Sequence, residues 1–271
     1  MKTHFSQKQI DDMCVAYASG RSLKSLMKDY HCGTIKPIKR TLLESGVKLR
    51  TNDECIRKYT ANYHYFDCID TPNKAYILGF LYADGCNYMN DSLRVYHWYL
   101  QLKSDDIDIL DDIRKEIGYT GNISVKQRMK DNTVREYADI TVCNHHMCQA
   151  LTEAGVMPNK TLETKYPVFL DDRLARHFIR GLMDGDGCIH KRGDISISGT
   201  EQLIASVREK IENLCGIKTS LYIHQNNGKT NDCNIGKKYA KTFLDWIYND
   251  SDLKMRRKYE RYVSIYHQTY A

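Results

Sequence analysis

Two acidic residues occupy matched places in the chain. Asp84 ends the run Ile77-Leu-Gly-Phe-Leu-Tyr-Ala-Asp-Gly85, and Asp186 ends Ile179-Arg-Gly-Leu-Met-Asp-Gly-Asp-Gly187. Each run reads as an apolar helix with small residues four apart, Gly79 and Ala83 in one and Gly181 and Gly185 in the other. Residues so spaced share one helix face, and a face without bulk lets two helix backbones approach closely. Gly85 and Gly187 are expected in the left-handed conformation that ends a helix. The two acids then fall at helix C-termini, where carbonyls are unpartnered and the macrodipole is negative. A carboxylate there repels its own helix end unless a cation intervenes. Two such ends side by side make a site for a hard divalent metal. The structural alternative is a pair of Asp residues bonded to nearby backbone amides, and its occurrence at two matched helix ends argues against it.

The elements that must position these acids repeat as well. After Asp84 come a turn at Asn87–Asp91, a strand from Leu93 to Lys103, a helix with Ile109, Leu110, Ile113 and Ile117 on one face, a hairpin over 122–142 and a closing helix from His145 to Ala154. After Asp186 come a strand over 194–198, a Thr200-capped helix, a hairpin with an Asn226-Asn-Gly228 turn and a helix near 237–248. In the hairpins apolar and polar residues alternate, so one face packs and the other is polar. Lys126, Arg128, Arg135, Tyr137, Tyr222, His224 and Asn234 lie on that polar face. They suit base or phosphate contacts, because a two-stranded ribbon fits the DNA major groove; a solvated sheet face is the plainer alternative. Repeats of this size argue for pseudo-twofold symmetry.

At these residues the chain resembles the LAGLIDADG homing endonucleases, in the form where one chain carries both motifs. Gly79, Ala83, Asp84 and Gly85 match the nine-letter pattern in the first copy; Gly181, Leu182, Asp184, Asp186 and Gly187 match it in the second. Tyr82 departs from it, at a position that is not the metal ligand in that family. The resemblance implies an α+β fold of two αββαββα halves forming a saddle over double-stranded DNA. It further implies an endonuclease that hydrolyses both strands of a long site and leaves 3′ overhangs. Asp84 and Asp186 would hold Mg²⁺ or Mn²⁺ for in-line attack of water on phosphate. Lys160 and Lys258 follow the closing helix of each half, where similar proteins keep an active-site lysine; surface lysines are the alternative. Gln101 matches a polar residue that orders water near the metal, and Ser196 is the expected counterpart in the second half.

Ahead of the repeats, residues 1–62 carry 12 Lys/Arg against 6 Asp/Glu, which accounts for the whole net charge of +6. Three short helices are expected there: one with Ile10, Met13, Cys14 and Tyr17, one capped by Ser22, and one capped by Thr34 with Ile38, Leu42 and Leu43 inside. The pattern resembles the helix-turn-helix of site-specific recombinases and small regulators. That places Lys36, Lys39 and Arg40 toward DNA, with Lys48 and Arg50 in an arm-like tail. The expected organisation is a helix-turn-helix domain at 1–50, a linker at 51–72, a first half at 73–168 and a second half at 169–271.

Composition narrows the remaining classes. A chain of 271 residues with 42% hydrophobic content holds about two domains, and no apolar run approaches the ~18 residues of a membrane span. The start lacks the apolar core of a signal peptide. Ten cysteines then imply free thiols in a reducing compartment. The expected location is the cytoplasm of a bacterial or phage-infected cell, on DNA through binding. No phosphate-cradling glycine loop is present, so no nucleotide cofactor is expected, and one chain with both halves is expected to be monomeric. Cys143-Asn-His-His-Met-Cys148 has zinc-ligand types but no second ligand cluster, so core and cap roles are expected. The ending lacks the His-Asn of a splicing element. Two other functions use the same scaffold: a DNA-binding regulator without cleavage, and an RNA maturase assisting group I intron splicing.

Overall fold

The computed structural model describes residues 5–50, 59–130, 133–157, 164–223 and 230–267. The chain divides into two units, Met1–Lys58 and Tyr59–Ala271.

In the first unit Ser6 caps α1 (Gln7–Ala18) through a reciprocal capping box with Gln9, and Ser22 caps α2 (Leu23–Asp29). The turns out of these helices use left-handed Gly20 and His31. The third helix, α3 (Lys36–Glu44), carries Pro37 in its first turn. Met13, Tyr17, Leu26, Ile38 and Leu42 form the core of the unit. Three local expectations fail. Ile35, not Thr34, is the N-cap of α3, with no side-chain bond. Leu43 is exposed. Arg50 does not extend as an arm: its guanidinium lies 4.2 Å above the Tyr17 ring and donates to the carbonyls of Gly20 and Arg21.

The second unit repeats one architecture. Its first half runs α4 (Pro72–Ala83), β1 (Gly85–Asn90), β2 (Val95–Lys103), α5 (Ile107–Glu116), β3 (Ser124–Lys130), β4 (Thr133–Val142) and α6 (His145–Glu153). The second runs α7 (Asp172–Asp186), β5 (Gly187–Ile189), β6 (Ile195–Gly199), α8 (Glu201–Lys210), β7 (Ser220–Ile223), β8 (Asn231–Ile235) and α9 (Lys237–Tyr248), then α10 (Arg256–Tyr266). Each half is therefore αββαββα, and each sheet is antiparallel with the same strand order, β1-β2-β4-β3 and β5-β6-β8-β7. The fold is α+β with an internal repeat. The basic run at 254–258 opens α10, a helix the periodicity did not announce. The Asn226-Asn-Gly228 turn lies outside the described residues, although the strands beside it pair antiparallel.

Residues 59–72 are not a linker. Tyr65 and Phe66 are buried in the core of the second unit, and Thr60 and Asn62 bond to the end of α5 and the turn after it. Thr71 then caps α4, with Pro72 at its first position. Among the described residues, no helix is long and apolar enough to cross a membrane, and none of the described cysteines is in a disulfide.

The closest packing in the unit is α4 against α7. A Cβ on Gly79 would stand 2.0 Å from the Phe178 carbonyl oxygen, and one on Gly181 would stand 2.1 Å from that of Tyr76. Gly79 and Tyr76 are the repeat equivalents of Gly181 and Phe178, so each helix presents its glycine to the same turn of the other. Gly79→Ala and Gly181→Ala should each cost at least about 1–3 kcal/mol, the usual penalty of overpacking. Urea unfolding is expected to show a lower midpoint for both. Gly236→Ser, where nothing stands within 4 Å of the added carbon, should stay near wild type.

Candidate active site and nucleic-acid interface

The glycine-bearing helices run directly into the first strand of each sheet. Asp84 is the C-cap of α4, and Asp186 is the last residue of α7. The glycines after them are not left-handed, contrary to expectation: Gly187 has φ −87° and ψ 157°, and Gly85 has no positive φ. What forces glycine is space. A Cβ would come within 2.8 Å of the Leu81 carbonyl oxygen at Gly85 and 2.5 Å of the Met183 carbonyl oxygen at Gly187.

Both acids are exposed. Side chains alternate along a strand, so Asp84 shares the face of Cys86 and Tyr88 and Asp186 that of Cys188, while Gly85, Asn87, Gly187 and Ile189 are buried. An added Cβ on Gly185 would lie 3.3 Å from Asp84 Oδ2 and 2.3 Å from the Ala83 Cβ. Asp84 therefore reaches across the helix seam to the residue before Asp186. Two carboxylates form an oxygen-only donor pair, which fits a hard cation such as Mg²⁺ or Mn²⁺.

Lys258 is buried, and its Nζ donates to the carbonyls of Met183 (2.8 Å), Gly185 (3.0 Å) and Gly187 (2.6 Å). An ammonium has three donors, and these carbonyls use all of them. Burial pushes its pKa down, against the attraction of Asp184 and then of Asp84 and Asp186. Lys258, expected at the phosphate, here caps the end of α7 beneath the turn that carries Asp186. Lys160 lies outside the described residues. Arg257 pairs with both oxygens of Asp106 at 3.0 Å, and Arg256 bonds Glu260 at 2.7 Å.

The sixth motif position is used differently in the two halves. Tyr82 donates its hydroxyl to the Ala154 carbonyl at 2.7 Å. Its counterpart Asp184 is fully buried and accepts from Tyr248 (2.6 Å), the Met255 amide (2.7 Å) and Tyr76 (2.9 Å). Burial pushes the Asp184 pKa up, and the bonds from Tyr248 and Met255 oppose the rise. Arg180, also fully buried, lies over the Tyr76 ring at 4.8 Å and donates to the Leu253 and Ile247 carbonyls. The sequence carried no sign of this network beyond the second motif acid.

The sheets present the expected polar faces. Register places Lys126 opposite Tyr137 and Arg128 opposite Arg135, with Gln101 beside Asp139 and Lys103 beside Tyr137. The inward face holds Trp98, Leu100, Leu102, Ala138, Ile140 and Val142. Arg128 and Arg135 are exposed, and Arg128 sits 5.8 Å from the Tyr137 ring. Lys126 is tied to the buried Asp139 by a 2.8 Å bond. Sequence reading missed an aromatic row on this face, in which His97 stacks on Tyr88 at 5.0 Å and follows Tyr99 at 6.2 Å.

In the second sheet Tyr222 stands opposite Asp232 and Asn234 opposite Ser220; His224 lies outside the described residues. Gly85 pairs with Leu100 and Gly187 with Ile197, so the counterpart of Gln101 is Ser198, not Ser196. Ser196 bonds His190 at 3.0 Å. In the first unit, Lys36, Lys39 and Arg40 are exposed on one side of α3, Arg40 lying 3.8 Å from Glu44.

Residues 173–248 match the family model of the LAGLIDADG-like domain. Among solved structures the chain is similar to that of I-DmoI in complex with DNA and Ca, at 15% identity and TM-score 0.49 over 76% of this chain and 99% of that one. It is also similar to the I-LtrWI LAGLIDADG homing endonuclease bound to target DNA, at 14% identity and TM-score 0.48 over 75% and 90%. A third similar structure is full-length DUF199/WhiA from Thermatoga maritima, at 17% and 0.44 over 75% and 65%. No curated protein sequence matches the chain.

The buried face of α7 has a consequence in acid. His177 is buried, and burial, then the nearby Arg180 and Arg176 guanidiniums, hold its pKa down at about 4. Its unfolded value is about 6.5, so between those values the unfolded chain binds the extra proton and stability falls as pH falls. The loss should reach the order of 3 kcal/mol by pH 4. In denaturant midpoints measured from pH 7 to 4, His177→Gln should flatten this part of the slope.

Proposed function

We propose that this chain, whose residues 173–248 form a LAGLIDADG-like domain, is a site-specific double-strand DNA endonuclease. The observation that carries the reading is the shared placement of Asp84 and Asp186. Both stand exposed at the ends of two helices in backbone contact, on the side of the sheets that bears the polar faces. A duplex laid along those faces would bring its phosphates to the seam between the halves.

In this reading Asp84 and Asp186 hold Mg²⁺ or Mn²⁺, with the carbonyls of the helix ends beside them. When bound there, the ion supplies an activated water and neutralises charge on the scissile phosphate. Lys258 fixes the turn at the end of α7, so that Asp186 keeps its place when the negative phosphate arrives. Gln101, level with Asp84 in the sheet register, is the residue in place to orient water in the first half. Arg128 and Arg135 contact phosphate or base edges, and the Tyr88–His97–Tyr99 row offers flat surfaces to the backbone sugars. The unit at residues 1–50 is a helix-turn-helix that adds contacts through Lys36, Lys39 and Arg40. With both halves in one chain, the working form is a monomer. A regulator that binds DNA without cutting is the second reading. It is favoured by one observation, that the three donors of Lys258 are spent on carbonyls.

The wild type, Asp84→Asn and Asp186→Asn are each incubated with a genomic or randomised duplex pool in Mg²⁺ and in Ca²⁺, and new ends are mapped. Staggered ends at one long sequence with wild type in Mg²⁺, lost in both variants while binding in Ca²⁺ remains, are the expected result. Binding without ends in any metal would replace the endonuclease by the regulator, and absence of duplex preference would remove both.

Arg128→Ala and Arg135→Ala should each weaken binding. If the lost contact is to phosphate, the log–log salt slope should shrink by about 1; if it is to a base, discrimination at that position should fall by about 1–3 kcal/mol. Titrations at several salt concentrations distinguish the two.

A further inference from the structure

A second cluster of ligating side chains lies away from the helix ends, on the outer surface of the first half. His64, Asp67 and His146 bring one ligand atom each within 4.8 Å of one another. His64 Nδ1 is 2.7 Å from Asp67 Oδ2, and His146 Nε2 is 2.7 Å from Asp67 Oδ1. The imidazole centroids are 4.6 Å apart. We propose that these three residues bind a transition-metal dication of the zinc class, which fastens the opening segment of the second unit to α6.

The ligand chemistry is specific. Two imidazoles and one carboxylate suit zinc and its neighbours, whereas Mg²⁺ and Ca²⁺ prefer oxygen alone. Tetrahedral ligands at about 2.0–2.2 Å from zinc stand roughly 3.3–3.6 Å from one another. The carboxylate would therefore open by less than an ångström from each ring, and the two rings would close on each other. On binding, each imidazole keeps one proton, on the nitrogen turned away from the ion, and gives the nitrogen that now faces Asp67 to the metal. The ion thus takes the place of the two N–H groups that bridge to the carboxylate.

The three ligands are held by rigid elements. Tyr65 and Phe66, between His64 and Asp67, are buried in the core, and a turn closes with the Asp67 amide on the His64 carbonyl at 3.2 Å. That fixes His64 and Asp67 on the outside, at a spacing of three residues. His146 sits in the first turn of α6, where Asn144 caps the helix through the Met147 amide at 2.7 Å. Beside the cluster lies a cavity of about 530 Å³ lined by Asp67, His146, Cys68, Gln149 and Phe169 among others. It leaves room for water as the fourth ligand. The Cys143–Cys148 stretch contributes only His146: Cys148 is core, and His145 packs on Tyr96 at 4.3 Å.

The test uses the full chain without a histidine tag. Protein loaded with Zn²⁺ is dialysed against metal-free buffer and its zinc counted, and Co²⁺ loading supplies a visible spectrum. One Zn²⁺ per chain is expected in the wild type, in Asp84→Asn and in Asp186→Asn, together with a zinc-dependent rise in thermal midpoint. His64→Ala and His146→Ala should each lose more than the about 10–100-fold in affinity that even outer-shell changes cost. Their thermal midpoints should no longer respond to zinc, while circular dichroism keeps the wild-type helix signal. Zinc retention by His64→Ala and His146→Ala equal to that of the wild type would overturn the proposal, as would loss of zinc in Asp84→Asn. Neither outcome depends on DNA cleavage, so this site and the endonuclease reading fail separately.

Discussion

The contact between the backbones of α4 and α7 sets the geometry of everything around it. Gly79 meets the Phe178 carbonyl and Gly181 meets that of Tyr76, so the helices cross where neither has a side chain. With larger residues the axes would sit at the usual 8–10 Å separation, and Asp84 would no longer reach the backbone before Asp186. Each helix also passes without a loop into the first strand of a sheet, which means the crossing fixes where both sheets start. The position of the acids and the direction of the sheets are consequences of the same crossing.

Crossing helices this closely brings two negative helix ends, two exposed carboxylates and the buried Asp184 into one small volume. Water screens the exposed Asp84 and Asp186, but not Asp184 inside the seam. The chain answers with cations of its own. Arg180 lies within the seam, and Lys258 gives all three of its protons to carbonyls at the end of α7. In this arrangement no donor of that lysine is left over for another acceptor. Its charge still attracts Asp184 and, more weakly, Asp84 and Asp186.

Much of this order was legible in the sequence, because repetition and periodicity are local signals. The two nonamers, the alternation in the 122–142 hairpin and the caps at Ser22 and Thr200 are each readable from a few neighbouring residues. What escaped depends on pairs far apart in the chain. Nothing near Lys258 announces that three carbonyls of residues 183–187 surround it, and nothing near Asp184 announces Tyr248. The polar stretch after residue 58 resembled a linker because Tyr65 and Phe66 are its only fully buried apolar residues, and two aromatics make no period. Gly85 and Gly187 had the right residue type for a left-handed cap, yet the reason for them is clearance from the preceding turn. Ser196 is expected where the register gives Ser198, because register is set by pairing with distant strands and a shift of two residues keeps the same face.

A single chain holding both halves is also free to let them diverge, and here they have. In a symmetric dimer the two sheets would be identical and a DNA site would have to mirror that symmetry. In this chain the polar face of the first sheet carries Lys103, Lys126, Arg128 and Arg135. The described residues on the polar face of the second are Cys188, Ser196, Ser198, Ser220, Tyr222, Asp232 and Asn234, with neither lysine nor arginine. Counterion release scales with the number of phosphates neutralised, so under the endonuclease reading the first sheet contributes most of the salt-dependent affinity. The second sheet, furnished with hydroxyls, an amide and a carboxylate, is left to discriminate by hydrogen bonding. The motif shows the same division of labour at one position. Tyr82 donates to the chain after its closing helix, while Asp184 accepts from the chain after its own. Opposite hydrogen-bond polarities thus tether the same part of each half, and the backbone symmetry survives because only the tether, not its chemistry, is required.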